Sequence, residues 1–267
     1  MEWLQLIVLA IVQGVTEIMP ISSSGHLAVI SEVLGWPDQG QAFDAVLHLG
    51  TFLAMIIFFW REWLDIIRGA FGRRQALGGE VPQGFYRIIL AAIIPAGLVG
   101  FFAADFFNQI RNLQIISLMF LVTAVLIVVS ARYFDHGKKH LKNIGCFEGI
   151  GIGVAQVLGL IAGVSRSGIT IIAGLYNGLT RETAVRFSFI LGAPLTLAAG
   201  LYSLTKFLAR PEIFDMTQLI VGLGIACVVG YISLSLFMRI VTSGKFSYFA
   251  YYLLILAFGL MLFSFLV

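Results

Sequence analysis

One short polar motif occurs twice in an otherwise apolar chain, and that repetition limits the possible folds more than any other feature. The first copy is Gln13 with Pro20-Ile21-Ser22-Ser23-Ser24-Gly25-His26, and the second is Gln156 with Gly163-Val164-Ser165-Arg166-Ser167-Gly168-Ile169. A constant offset of 143 residues, without gaps, sets Gln13 on Gln156, Ser22 on Ser165, Ser24 on Ser167 and Gly25 on Gly168. With 59% hydrophobic and 12% charged residues, the composition is far from that of a soluble domain, where about a quarter of residues are charged. Apolar stretches recur along the whole length, so the chain reads as polytopic. Hydroxyls, a histidine and an arginine are costly in a bilayer unless they face a wet cavity or each other. Having the constellation twice predicts one polar site at the interface of two repeats.

Six segments are long enough to cross a bilayer: 42–60, 86–104, 113–133, 183–206, 217–238 and 246–267. The remaining apolar sequence forms two broken pairs, 3–19 with 22–35 and 145–162 with 165–179, each interrupted by the serine motif. Pro20 lacks a backbone donor and disfavours helix at Met19, and Gly163 takes the equivalent place in the second copy. Both pairs read as re-entrant hairpins of half-helices, which are tolerated where the bent backbone is buried in protein or wet. A re-entrant pair makes no net crossing, and three spans follow each pair. The second half therefore starts in the opposite orientation, and the two hairpin loops approach each other from opposite faces. The expected fold class is an all-α polytopic membrane protein of six transmembrane helices plus two re-entrant helical hairpins. It forms a single integral-membrane domain with inverted-topology pseudo-repeats 1–134 and 145–267.

Charge placement tests that count. One side collects Arg61, Arg68, Arg73, Arg74, Arg87, Arg132, Lys138, Lys139, Lys142, Arg181, Arg186, Arg239 and Lys245, and the other only Arg111, Lys206 and Arg210. Thirteen against three, with Arg166 left inside the membrane, accounts for all 17 basic residues. The positive-inside rule then puts the 61–85 and 134–144 loops in the cytoplasm and both termini outside. No cleavable leader is read at Met1-Glu2-Trp3, which lacks a basic start. Cys146 and Cys227 lack metal-ligand spacing and read as packing residues.

The motifs carry chemistry. Gln13 and Glu17 lie four apart and share a helix face. Ser22, Ser23, Ser24 and Gly25 open the second half-helix, whose free N–H groups and positive dipole end suit an anion. Ser165, Arg166, Ser167, Gly168 and Thr170 repeat the arrangement, with Arg166 able to clamp phosphate oxygens bidentately. Two opposed helix N-termini, an arginine and many hydroxyls describe a pocket for a multiply charged anion such as pyrophosphate. His26 and Glu17 add acid–base or nucleophilic capacity, and Glu17 suits a divalent cation or a general acid. Bland readings stand beside these. Gln13 and Gln156 read equally as helix-packing hydrogen-bonders, His26 as a structural histidine, and Asp44 with His48 as support for the site or a plain helix start. The glycines Gly149, Gly151, Gly153, Gly159 and Gly163 read as close helix packing.

Over essentially its whole length the chain resembles the undecaprenyl pyrophosphate phosphatase family, the integral-membrane type associated with bacitracin resistance. The resemblance rests on Gln13-Gly-Val-Thr-Glu17-Ile-Met-Pro-Ile-Ser-Ser-Ser-Gly-His26, on Gly163-Val-Ser-Arg-Ser-Gly-Ile-Thr170, and on the Arg87 to Ile94-Pro95 span. It implies hydrolysis of a polyprenyl pyrophosphate to the monophosphate plus phosphate, recycling the lipid carrier for cell-wall synthesis. It also implies a divalent cation (Mg²⁺ or Ca²⁺) and a bacterial plasma membrane. By the same likeness Glu17 matches the second acidic residue of the family's Glu/Gln-x-x-x-Glu motif, whose first position is Gln13. Ser23 and His26 match the nucleophile and its partner, and Arg166 the phosphate-binding arginine. Ser165, Ser167 and Thr170 match flanking hydroxyls. Position 13 is Gln where several members carry Glu, and position 162 is Ala where Pro is usual.

In this reading Ser23 attacks the terminal phosphorus with His26 as base or shuttle, or His26 attacks directly. Glu17 binds the cation or orients His26. The rival reading is a transporter or flippase for a phosphorylated lipid or anion, an architecture that also uses inverted repeats and broken helices. The expected partners are a polyprenyl pyrophosphate and membrane lipids, with no nucleic acid and a homodimer left open. Because Glu17 and His26 belong to the hairpin entering from outside, the site is expected to open outward.

Overall fold

The chain turns into helix wherever its apolar runs continue, and out of helix where the two serine motifs interrupt them. A computed structural model describes residues 2–36, 40–73, 81–134, 136–208 and 216–266. The helices are α1 (Trp3–Thr16), α2 (Ser23–Val33), α3 (Gly40–Phe58), α4 (Trp60–Ala70), α5 (Phe85–Phe102) and α6 (Ala104–Gln109). They continue with α7 (Leu113–Tyr133), α8 (Cys146–Ala155), α9 (Arg166–Tyr176), α10 (Arg181–Leu208), α11 (Met216–Thr242) and α12 (Tyr248–Leu266). A 3₁₀ segment, Gln156–Leu160, follows α8 directly. No strand occurs among the described residues, where an isolated bridge joins Lys139 and Leu179. Five helices are long and apolar enough to cross a membrane: α5, α7, α11 and α12, with α10 over Arg181–Tyr202. The protein is therefore a multi-pass membrane protein of all-helical fold. Within the expected loops the structure adds α4 and α6, two short helices. Arg74 and Arg210 lie outside the described residues.

Helix packing exchanges elements between the halves. Helix α1 packs on α11, while α8 packs on α5; α3 lies between α10 and α11, and α7 against α12. Small residues permit the closest of these approaches. A Cβ at Gly14 would stand 2.7 Å from Val229 Cβ, and one at Gly153 would run into the Ala92 carbonyl of α5. Gly149 meets Ile88 in the same way, so these two glycines do serve helix packing. Gly151 has only the Asn177 amide at 4.0 Å.

The two breaks meet. The first, at Glu17–Ser22, ends on Ser22 with φ 69°, the only positive φ at a non-glycine among the described residues. Such a backbone is uncommon outside glycine and costs energy that surrounding contacts must offset. Here the offset is visible: Ser22 Oγ accepts from the Gly163 N–H at 3.2 Å. Gly163 itself has φ 97° and sits against Ile116 and Met119 of α7. Thr123 of α7 donates to its carbonyl at 3.4 Å.

Candidate active site

Glu17 lies at the C-terminal end of α1, 6% exposed in its side chain, and four donors converge on it. Ser23 Oγ donates to Oε2 at 2.5 Å, and Gln13 Nε2 does so at 3.3 Å. Arg166 Nη2 takes Oε1. From α3, His48 Nε2 faces Oε2 at 3.2 Å. The opposite ring nitrogen, Nδ1, donates to the Asp44 carbonyl at 2.7 Å. Both ring nitrogens of His48 thus face oxygen atoms, which fixes the plane of the ring between α1 and its own helix. The Asp44 carboxylate in turn pairs with Arg111 at 3.1 Å. A carboxylate this buried is stable only with such partners, because an isolated charge loses its hydration.

Arg166 reaches Glu17 from the first turn of α9, across the meeting point of the breaks. Its Nη1 also donates to Thr196 Oγ at 2.6 Å and to the Gly192 carbonyl at 3.2 Å, both on α10. Three of the five guanidinium N–H groups are therefore engaged with protein, and two remain for a ligand. Gly159 makes the approach possible: a Cβ there would lie 2.8 Å from Arg166 Cα. Of the glycines read as helix packing, this one supports the site. Ser165 caps α9 by accepting from the Gly168 N–H at 3.1 Å, and its hydroxyl lies 3.2 Å from that of Ser167.

These groups form the polar end of a cavity of about 700 Å³. Glu17, Ser22, Ser23, Ser24, His48, Gln156, Ser165, Arg166 and Ser167 line that end, with Thr16 and Thr196. Most of the remaining lining is apolar, including Ala96, Gly97, Gly100 and Phe101 of α5, Ala104 and Phe107 of α6, and Leu195, Ala198 and Ala199 of α10, with Asn108 of α6 and Tyr202 of α10 adding polar atoms. A polar floor beneath an apolar slot suits an anionic headgroup on a hydrocarbon chain.

Several expected site residues sit elsewhere. His26 does not face Ser23. Its Nδ1–H donates to the Ser22 carbonyl at 2.8 Å, so in the neutral ring Nε2 accepts from the Tyr252 hydroxyl, also at 2.8 Å. The ring stacks on Tyr252 and tilts against Phe120, with centroids 5.7 and 5.1 Å away. Tyr252 borders a second, smaller cavity of about 600 Å³ with Lys245 and Tyr248. Gly25, Gly168 and Thr170, expected to contact substrate, do not line the site cavity. A Cβ at Gly25 would press on Phe120 Cε1 at 2.7 Å, and one at Gly168 would lie 3.3 Å from Pro20 Cβ. Thr170 Oγ bonds the Arg166 carbonyl at 2.8 Å and lies 2.6 Å from Ser188 Oγ. Gly25 and Gly168 let the two breaks approach each other, and Thr170 ties α9 to α10.

Nor do Glu17 and Gln13 form a ready cation site. Both oxygens of Glu17 already accept from donors, and a cation there would face the Arg166 guanidinium and the His48 ring. Gln13 Oε1 is buried without a partner and is the one uncommitted side-chain oxygen of the two residues. Among the described residues no group of three His, Cys, Asp or Glu side chains gathers as a metal site.

Fold and site together define a multi-pass membrane protein whose two broken-helix motifs build one buried, arginine-bearing polar centre. Residues 6–259 match the family described as bacitracin resistance protein BacA. The chain belongs to that family. It is 38% identical over 266 residues to an undecaprenyl-diphosphatase of Alcanivorax borkumensis, covering 98% of each chain. It is 39% identical over 273 residues to one from Renibacterium salmoninarum, covering 98% of this chain and 95% of that one. With one from Corynebacterium glutamicum it shares 41% over 256 residues, 94% of this chain and 86% of the relative.

Proposed function

We propose that this protein hydrolyses undecaprenyl pyrophosphate to the lipid monophosphate and phosphate, and so returns the carrier to cell-wall synthesis. One observation carries the chemistry: the Ser23 hydroxyl points at Glu17, and Glu17 at Arg166, on the floor of an otherwise apolar cavity. The isoprenoid chain lies along the α5–α6–α10 wall, and the pyrophosphate sits on the two free Arg166 donors and the starts of α2 and α9. Ser23 Oγ attacks the distal phosphorus, the bond to the bridging oxygen breaks, and the monophosphate leaves with the lipid. The Ser23 proton passes to the Glu17 carboxylate to which it already donates, as a carboxylate accepts the hydroxyl proton in other phosphoryl transfers. Water then cleaves the phosphoserine, releasing phosphate and restoring Ser23. Arg166 stabilises the charge that grows on the transferred group. A divalent cation, Mg²⁺ or Ca²⁺, would be held by the pyrophosphate oxygens rather than by Glu17, which is already engaged, and would offset substrate charge. Hydrolysis is favoured over passage alone because a serine held on a carboxylate is a reactive group that a carrier does not need.

The membrane arrangement in this reading has six spans, α3 with the five long helices, and α1–α2 and α8–α9 as re-entrant hairpins of an inverted repeat. The exchanged packing of α1 on α11 and α8 on α5 is what such a repeat requires. Cross-element contacts agree with the charge asymmetry. Arg111 pairs with Asp44 and Gln114 with Ser264 on the side assigned outside, and Arg186 with Glu62 and Lys139 with Glu148 on the cytoplasmic side. The cavity wall uses the outer ends of α5 and α10, so the site opens away from the cytoplasm of a bacterial plasma membrane, with both termini outside. Every charged group it uses comes from one chain, so no second copy is needed to complete it. The test is phosphate release from undecaprenyl pyrophosphate by purified protein beside Arg166→Ala. Release that falls at least about a hundredfold in the variant supports the reading; release at an undiminished rate contradicts it.

A further inference from the structure

Gln156 is the repeat counterpart of Gln13, yet the two amides have different surroundings. Gln13 Nε2 donates to Glu17. Gln156 is 1% exposed, and neither its Nε2 nor its Oε1 has a hydrogen-bond partner. A buried amide left in this state destabilises the free protein, since it gave up water and received nothing. Gln156 also lines the site cavity. It begins the 3₁₀ segment Gln156–Leu160, one turn before Gly159, the residue against which the Arg166 backbone rests. Gln156 and Arg166 therefore border the same cavity from adjoining segments.

We infer that Gln156 is a substrate-contacting residue: its Nε2–H₂ donates to phosphate oxygens of the bound pyrophosphate, and its Oε1 is met by water carried with the headgroup. This rests on the assignment of the cavity as the pyrophosphate site and names a contact within it. The alternative, a glutamine that hydrogen-bonds neighbouring helices, requires partners the structure does not give it.

The two roles leave opposite signatures in Gln156→Leu, which keeps the bulk and removes both polar atoms. A ligand contact predicts that the ligand-free variant melts at or above the wild-type temperature, while KM for undecaprenyl pyrophosphate rises about tenfold or more. Stabilisation of the full-length protein in detergent by inorganic pyrophosphate should shrink in parallel. Gln156→Asn, which keeps a shorter amide, should fall between the two in KM. A KM for Gln156→Leu within twofold of wild type overturns the inference, and so does a lowered melting temperature without pyrophosphate. Arg166→Ala separates this from failure of the underlying assignment. If pyrophosphate stabilises Arg166→Ala as well as wild type, the cavity is not the pyrophosphate site and both fall. If Arg166→Ala loses the stabilisation and Gln156→Leu keeps it, only the role of Gln156 is wrong.

Discussion

Thr196 provides a sensitive test of how Arg166 is held. Its hydroxyl accepts from Arg166 Nη1 at 2.6 Å and donates to the Gly192 carbonyl at 3.0 Å, so both of its capacities are committed. Thr196→Val replaces that hydroxyl by a methyl of nearly the same size and removes one of three anchors of the guanidinium. Hydrogen bonds to charged groups contribute about 1.5–3 kcal/mol. Two features push the expected loss to the lower half of that range. Water in the cavity can replace part of the lost acceptor, and the Gly192 carbonyl, relieved of its second donor, accepts more strongly from Nη1 at 3.2 Å. A loss of about 1.5–2 kcal/mol corresponds to roughly a 10- to 30-fold drop in kcat/KM for phosphate release. Thr196→Ser keeps the oxygen and should stay within threefold of wild type. The assay is initial-rate phosphate release in detergent, with melting temperatures as the control for folding. If Thr196→Val stays within twofold of wild type, Arg166 is not oriented by this hydroxyl and the three-anchor geometry is wrong.

Two further expectations follow from the same geometry. His48→Leu removes the α3 group that fixes Glu17 and should lower kcat about 10- to 100-fold, as loss of outer partners does at metal sites. KM should change little, and His48→Gln, which restores a donor toward Glu17, should recover most of the rate; equal loss in both variants would argue against a positioning role. For topology, Cys146 is exposed at the start of α8. A membrane-impermeant maleimide should label it in inside-out vesicles and not in intact cells; the opposite pattern would reverse the assigned orientation.

The sequence made the long-range architecture legible because the signals were repeated or long. The repeated motif implies that the two hairpin loops approach each other, and Ser22 and Gly163 are where they touch. The expected spans 86–104 and 113–133 coincide with α5 and α7 to within two residues at either end. What it could not supply was the direction in which side chains point. His26 follows Ser23 by three residues and looked like its partner. Its ring instead turns back on the Ser22 carbonyl and out to Tyr252, 226 residues away, and only the packing of α7 and α12 decides that. His48 had one local cue, its place one turn after Asp44. Its contact with Glu17 depends on how α3 lies against α1, which no spacing within α3 reveals. Helix α4 was hidden for a different reason. Arg61, Glu62, Asp65 and Arg68 make the segment read as loop by charge, while Trp60, Trp63, Leu64 and Ile67 recur at helical spacing.

The measurement closest to the central claim is a rapid-quench experiment with undecaprenyl pyrophosphate labelled at its distal phosphorus. Acid-stable label should build up within the first turnover on the peptide containing Ser23, and Ser23→Ala should accumulate none. Acid-labile label on a histidine peptide, or full turnover by Ser23→Ala, would contradict attack by a Glu17-held serine.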